Sequence, residues 1–380
     1  MSETDDNQPP KARYIMIGGF LGAGKTTSIA RMAQMLSDQG LKVGLITNDQ
    51  GNELVDTAML RSRGFATEEI SGGCFCCRFN SLVDAAAKLN EETRPDVFIA
   101  EPVGSCTDLV ATVTYPLRRM YGEDFKIAPL SVVIDPVRAA RVFGLNEGGR
   151  FSEKVRYIYK KQLEEADVIV INKCDILEDC DIAMLGDCLN ENYPNARIFE
   201  VSAREGKGLN SWFAHLWDHE QEARAAMEVD YEVYAEGEAL LGWLNCTVQI
   251  SSESDFDANK ALRILCKRIQ ARLAEQDAEI AHLKMTFNPD GGIGDIAVVN
   301  LVRNDYVAEL SQELDDTVKS GQLIINMRAE AAPEALSETV EHGLAALKEL
   351  FPELTTTIEH SEHFRPGKPE PTHRIADPAA

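Results

Sequence analysis

What this 380-residue sequence lacks narrows its function before any motif is considered. No apolar run approaches the roughly 20 residues that span a bilayer, and the polar start MSETDDNQPPK has no apolar signal core; a cytoplasmic protein with no membrane partner is expected. Basic residues are scarce, with 38 Lys and Arg against 62 Asp and Glu and a net charge of −24. That balance excludes a general nucleic-acid partner, which needs a concentrated basic footprint. The short basic stretch Lys154, Arg156, Lys160 and Lys161 reads as a solvated helix face. Internal repeats are missing. So is a second cysteine pair at zinc-finger spacing, and nine cysteines, an odd number with three crowded together, do not make a disulfide framework.

What is present is enough apolar material, 44% of residues, to bury the cores of two domains. From Ala12 to about Trp217, short apolar runs alternate with longer amphipathic stretches, the pattern of an α/β domain with a mostly parallel sheet. The expected strands are Tyr14–Gly18, Lys42–Asn48, Asp96–Glu101, Ala128–Asp135, Asp167–Asn172 and Arg197–Ser202. Each ends in a polar or glycine-containing loop, and ligands of such sheets bind beyond the carboxyl ends of the strands. A helix-like stretch around His219–Val229 leads to a second pattern. It comprises an apolar run at Leu240–Ile250, a helix from Asn259 to Glu275, strands at Ile280–Phe287, Ile296–Val302 and Gln322–Arg328, and a helix from Pro333 to Leu350. Asn288-Pro289-Asp290-Gly291-Gly292 is turn chemistry suited to a hairpin between the middle two strands. The expected organisation is a flexible segment over 1–12, a first domain over 13–220, a linker over 221–237, a smaller α+β domain over 238–352 and a flexible tail over 353–380.

Gly19-Phe20-Leu21-Gly22-Ala23-Gly24-Lys25-Thr26 fits the phosphate-binding loop in full, between a strand and a helix. Glycines let successive amides curl around phosphate oxygens, the helix start adds positive potential, and Lys25 brings a mobile charge to the β- and γ-phosphates. The expected nucleotide contacts here are Gly22, Ala23, Gly24, Lys25, Thr26 and Thr27, with Thr26 a ligand of Mg²⁺. Asn172-Lys173-Cys174-Asp175 closes a later strand and resembles the base-recognition NKxD of GTPases. A carboxylate at Asp175 can accept hydrogen bonds from guanine's ring N–H and exocyclic amine, a pattern adenine does not offer. Asn172 and Lys173 would brace the loop and cover the base, and Ser202-Ala203, after the next strand, resembles a second base-contact loop. GTP is expected over ATP. Asp49 is a candidate for the Mg²⁺ or water shell, or simply a carboxylate solvating its loop.

The run ISGGCFCCR places Cys74, Cys76 and Cys77 downstream of the phosphate loop. Thiolates are soft ligands that suit Zn²⁺ or Cu(I). In an extended chain Cys74 and Cys76 would face one side and Cys77 the other, so three-sulfur binding requires a turn, which Gly72 and Gly73 permit. An exchangeable site of two or three sulfurs, completed by solvent, an acid or a partner, suits transfer of metal; a thiol cluster without metal is the alternative. The other six cysteines have the ordinary expectation of small buried or half-buried residues, Cys180, Cys188, Cys246 and Cys266 among them. His215 and His219, four apart, and His360, His363 and His373 are not assigned as ligands.

Taken in order, the phosphate loop, Asn48-Asp49-Gln50-Gly51, Gly73–Cys77, Glu101-Pro102-Val103-Gly104, Asn172–Asp175 and Ser202-Ala203 resemble the CobW family of metallochaperone GTPases, relatives of UreG and HypB. The resemblance runs through most of the first domain; the second matches only in position and coarse α+β pattern. It implies a P-loop NTPase domain in which Glu101 binds Mg²⁺ and the amide of Gly104 senses the γ-phosphate, making Lys25, Thr26, Glu101 and Gly104 the catalytic set. It also implies GTP and GDP as ligands, Zn²⁺ as the metal with Co²⁺ as the alternative, a client metalloprotein or cofactor-assembly protein as partner, and a nucleotide-dependent homodimer. The chain departs from the family in Asn48-Asp49-Gln50-Gly51, where Asn-Glu-x-Gly is common, in Asn52 where an acid is usual, and in Pro102. Two other readings remain: a nucleotide-dependent scaffold with redox-sensing thiols, and an ATP-dependent corrinoid maturation factor.

Overall fold

The computed structural model describes residues 11–48, 57, 60–61, 63–291 and 295–377. Short runs rich in Val and Ile, apolar on both faces, build a parallel sheet, because a strand covered by helices above and below exposes neither side to water. Its strands are β1 (Ala12–Gly18), β2 (Val43–Asn48), β3 (Ala66–Ile70), β4 (Val97–Glu101), β5 (Phe125–Ile127), β6 (Ser131–Ile134), β7 (Val168–Ile171) and β8 (Arg197–Glu200). They run in the order β3-β2-β4-β1-β6-β7-β8, all parallel, with β5 also pairing to β1. The helices are α1 (Lys25–Asp38), α2 (Phe79–Glu92), α3 (Tyr115–Tyr121), α4 (Pro136–Val142), α5 (Glu153–Glu165), α6 (Asp179–Asn192) and α7 (Leu209–Asp218). Alternation along the strands gives two cores. Ile15, Ile17, Val97 and Ile99 pack with Ile29 and Met32 of α1 and Trp212 of α7, while Tyr14, Met16, Phe98 and Ala100 belong to the core of α2 and α5.

Helix α8 (Tyr231–Leu240) leads into an antiparallel sheet of β9 (Gly242–Phe256), β10 (Ile280–Pro289), β11 (Ala297–Leu301), β12 (Glu309–Gln312), β13 (Val318–Ala329) and β14 (Leu354–Phe364). The order is β12-β11-β10-β13-β9-β14, and α9 (Ala258–Glu275) and α10 (Pro333–Leu350) share its core. Leu283, Met285 and Phe287 join that core; by the two-residue period of a strand, His282 and Lys284 face the opposite side. β10 and β11 pair with Phe287 opposite Ala297, the hairpin expected from the Asn288-Pro289-Asp290-Gly291 turn. Among the described residues no helix is long and apolar enough to cross a membrane.

Three expectations need correction. The stretch around His219–Val229 is not helical: Gln221 N–H donates to Ile127 O (2.9 Å) and Arg224 N–H to Tyr115 Oη (2.9 Å), so first-domain acceptors replace a helical ladder. The linker over 221–237 contains most of α8, whose start is capped by the Asp230 side chain. The flexible tail over 353–380 is ordered through residue 377. Thr355, Thr356, Thr357 and Ile358, β-branched residues suited to a strand, lie in β14 against β9, and 365–377 then cross back onto the first domain. Of the segment expected to be flexible over 1–12, Ala12 already belongs to β1, and residues 1–10 lie outside the described residues. β3, β5, β12 and β14 were not anticipated; their short or polar sequences carry no apolar signature.

Candidate nucleotide and metal sites

The loops after β1, β4, β6, β7 and β8 leave the same edge of the parallel sheet, and a cavity of about 520 Å³ lies there. Gly22, Gly24, Lys25, Thr26 and Thr27 form its floor; Ala23 is buried beneath. Gly24 has φ +96°, and a Cβ on it would lie 2.3 Å from Asn172 Nδ2, so only glycine admits this approach. Asn172 donates to Ala23 O (2.9 Å) and accepts from Ala203 N–H (3.0 Å), tying the β7 loop to both the phosphate loop and the β8 loop. Lys173 donates to Gly22 O (2.8 Å) and pairs with Asp135 (2.9 Å). Asp175 lines the cavity and is exposed, as an acceptor for a base must be. Ala203 also lines it, whereas Ser202 is fully buried, its hydroxyl accepting from Glu205 N–H (3.2 Å).

Thr26 Oγ1 donates to Glu101 Oε1 (3.0 Å), and Lys25 Nζ stands 3.8 Å from the same oxygen. All three side chains are buried. A hydroxyl beside a carboxylate is a hard-oxygen set that fits Mg²⁺. Gly104 packs so closely on the phosphate loop that a Cβ would meet Leu21 N at 2.9 Å; its carbonyl accepts from Gln162 Nε2 (2.9 Å). Asp49 lies outside the described residues.

The opposite wall comes from the second sheet: Trp243, His282, Lys284, Asn300, Val302, Tyr306 and Arg328 all line the cavity. This wall went unrecognised in the sequence, where the alternation of His282 and Lys284 with Leu283, Met285 and Phe287 was its one trace. Burial, then Lys284, Arg328 and Lys25, hold the His282 imidazole well below its ordinary pKa, so it is neutral at pH 7, and among the described residues its Nε2 has no hydrogen-bond partner. The two sheets are locked together beside the cavity. Arg138, buried, donates to Leu21 O (2.7 Å) and Ala281 O (3.2 Å), and Arg303 pairs with Asp135 at 2.8 Å. Burial alone would raise the Asp135 pKa, but Lys173, Arg303 and Arg138 hold it well below the carboxylate range.

The cysteine loop supplies the turn that three-sulfur binding requires. Gly72 and Gly73 take positive φ (+74° and +153°), and Cys77 N–H and Arg78 N–H both donate to Cys74 O (3.1 and 2.9 Å) just before α2. The sulfurs converge: Cys74 to Cys76 2.9 Å, Cys74 to Cys77 3.1 Å and Cys76 to Cys77 3.7 Å. Cys74 and Cys76 are buried and Cys77 half-buried. Hydrogen bonding with Cys106, Cys76 and Cys77 holds the Cys74 thiol well below its ordinary pKa, and hydrogen bonding with Cys74 is the leading cause that pushes Cys77 up to about 11. Three soft donors within 4.8 Å of one another fit a transition metal of the zinc kind. Asn48, which lines the nucleotide cavity, also donates to Gly73 O (2.6 Å) and so touches both sites.

The returning C-terminal strap covers this loop. Glu370 N–H donates to Cys77 Sγ (3.3 Å), Thr372 N–H to Cys76 O (2.8 Å) and Thr372 Oγ1 to Cys77 O (3.1 Å), and Arg374 pairs with Asp108 at 2.7 Å. The His373 ring packs edge-on to Phe79 with centroids 5.1 Å apart, while His360 and His363 lie on β14. His215 and His219 stack with centroids 4.2 Å apart on an exposed surface. Among the other cysteines, Cys106, Cys246 and Cys266 are buried and Cys174 and Cys188 half-buried, but Cys180 is exposed, contrary to expectation, on the first turn of a surface helix.

Residues 13–200 match the family described as CobW/HypB/UreG, nucleotide-binding domain. The chain is 28% identical over 259 residues to a zinc chaperone CobW of Sinorhizobium sp, covering 58% of this chain and 70% of that protein. It is 31% identical over 166 residues to the zinc chaperone YeiR of Escherichia coli (strain K12), covering 43% of this chain and 47% of that protein. Over 211 residues it is 25% identical to the zinc-regulated GTPase metalloprotein activator 1 of Dictyostelium discoideum, covering 48% of this chain and 44% of that protein. The matches thus span less than half the length of the latter two relatives.

Proposed function

We propose, from the premise that residues 13–200 belong to the CobW/HypB/UreG nucleotide-binding family, that this chain hydrolyses GTP and couples the cycle to binding and delivery of a transition metal. Zn²⁺ is the cargo, with Co²⁺ the alternative, and a client metalloprotein or cofactor-assembly protein in the cytoplasm receives it. A nucleotide-dependent homodimer is part of the same reading. Relatives named as zinc chaperones support zinc.

The observation that carries the proposal is the convergence of Lys25, Thr26 and Glu101 on one point of a cavity whose rim holds Asp175, with Asn48 linking that cavity to the loop of the sulfur cluster. Backbone N–H groups of the phosphate loop and Lys25 would cradle the phosphates. Thr26 and Glu101 would hold Mg²⁺, which neutralises charge on the β- and γ-phosphate oxygens. Asp175 would read guanine, Asn172 would keep its loop in register, and Gly104, held against Leu21, would move when the γ-phosphate leaves. Positioning and charge stabilisation suffice for such hydrolysis, so no covalent step on the protein is needed.

The test is Mg²⁺-dependent hydrolysis and binding of GTP and ATP by the protein and by Asp175→Ala. Preference for GTP should fall by about 10- to 100-fold in the variant, the loss of hydrogen bonds to a charged acceptor. Absence of GTP hydrolysis, or equal use of ATP by the unaltered protein, would overturn the reading.

A further inference from the structure

We propose that the second domain takes part in nucleotide recognition and reads the terminal phosphate, through His282 and Lys284 of β10; this rests on the GTP-binding reading above. The charge of the cavity suits such a ligand. In a chain with 62 acidic and 38 basic residues, the described residues lining the cavity reverse the balance, with seven Lys or Arg against three Asp or Glu. Two of the seven, Lys284 and Arg328, stand on the second sheet. A concave surface lined by cations concentrates an anion.

β10 is fastened to the phosphate loop itself. The buried Arg138 guanidinium donates to Leu21 O (2.7 Å) on one side and to Ile280 O and Ala281 O (3.1 and 3.2 Å) on the other. The approach is close: a Cβ on Gly22 would lie 3.1 Å from Ala281 O and 3.0 Å from the Val302 side chain. His282 is the next residue after Ala281, so it enters the cavity beside Leu21 and Gly22, and Lys284 follows on the same face of the strand. His282 is 7% exposed, and among the described residues its Nε2 finds no partner. A buried ring nitrogen without a partner is costly, and a phosphate oxygen in the cavity would accept from it.

Two anchors indicate which part of the nucleotide β10 meets. In the first sheet Asp175 follows β7 and Glu101 closes β4, with β6 and β1 between them. The nucleotide would therefore run from its base near β7 to its terminal phosphate and Mg²⁺ near β4. In the second sheet Glu309 of β12 pairs with Arg204 of the loop after β8, at the base end. Asn300 of β11 and Lys284 of β10 follow Glu309 in register. Two strand spacings, roughly 10 Å, thus carry the row from the base end to Lys284. The second anchor is Ala281 against Gly22, and Gly104 rests on Leu21 next to it. β10 and the loop after β4 meet the phosphate loop at adjacent residues. A terminal phosphate held there would touch both domains, whereas a diphosphate would leave His282 and Lys284 without their ligand.

The test is the ratio of affinities for a non-hydrolysable GTP analogue and for GDP, measured by calorimetry on the full chain. His282→Ala and Lys284→Ala, each with circular dichroism matching the parent, should lower affinity for the analogue at least about tenfold and leave that for GDP within about threefold, the loss of one hydrogen bond to a charged group. Lys284 is only half-buried, so its variant keeps the test open if His282→Ala does not fold. A merely structural role would weaken both nucleotides alike. A ratio that stays at the parent's value in either folded variant would overturn the proposal while leaving the GTP reading intact. A parent that binds neither nucleotide would overturn both.

Discussion

The parallel sheet offers the nucleotide cavity the ends of its strands, whereas the antiparallel sheet offers a face. Lys25, Thr26, Asn172 and Asp175 follow strand ends and Glu101 closes β4, while Trp243, His282, Lys284 and Arg328 lie along strands β9, β10 and β13. Loop ends can curl around a ligand and rearrange as it changes. A strand face is held on both sides by its ladder: His282 is opposite Arg328, and Arg328 opposite Trp243, across three hydrogen-bonded strands. In the proposed cycle the moving parts would therefore belong to the first domain, and the second would act as a fixed wall against which they move. The same rigid sheet continues through β14 into the strap over the cysteines, so it touches both sites.

The seam between the sheets is where this contrast is easiest to break. Asp135→Asn leaves Lys173 and Arg303 without their buried carboxylate and should destabilise the protein by about 3–5 kcal/mol, read from denaturant unfolding. Because the three cations hold the Asp135 pKa below its unfolded value of about 3.9, its stabilisation is present above that pH and is lost as pH falls toward the folded value. The acid limb of stability should accordingly be shallower in Asp135→Asn; an unchanged limb would contradict the assignment. A smaller effect is expected at the wall itself. Lys284→Ala should weaken GTP binding about tenfold with the guanine preference intact, measured by calorimetry. The smallest concerns the strap: a chain ending at Phe364 should release metal to a chelator several-fold faster, because Cys77 loses the Glu370 N–H and the cover of Thr372, while its affinity for GTP is retained.

How much of this was legible in the sequence follows the same division. The phosphate loop and Asn172–Asp175 are contiguous, and each residue's chemistry dictates its neighbour's, so both could be read without a fold. α10 coincides with the expected Pro333–Leu350 because proline at the start and an apolar stripe mark it plainly. The second-sheet wall could not be read, since placing His282 beside Arg328 and Trp243 depends on strand register. The tail was misread because proline and polar residues suggest a loose chain, yet its backbone N–H groups find acceptors on the first domain.

The central claim is that nucleotide state and metal affinity are coupled, through Asn48 at the end of β2 and the loop after β4. Its most direct test is zinc affinity by chelator competition for the nucleotide-free, GDP-bound and non-hydrolysable-GTP-bound protein. Affinities that differ by at least about fivefold between nucleotide states are predicted; identical affinities in all three would contradict the coupling.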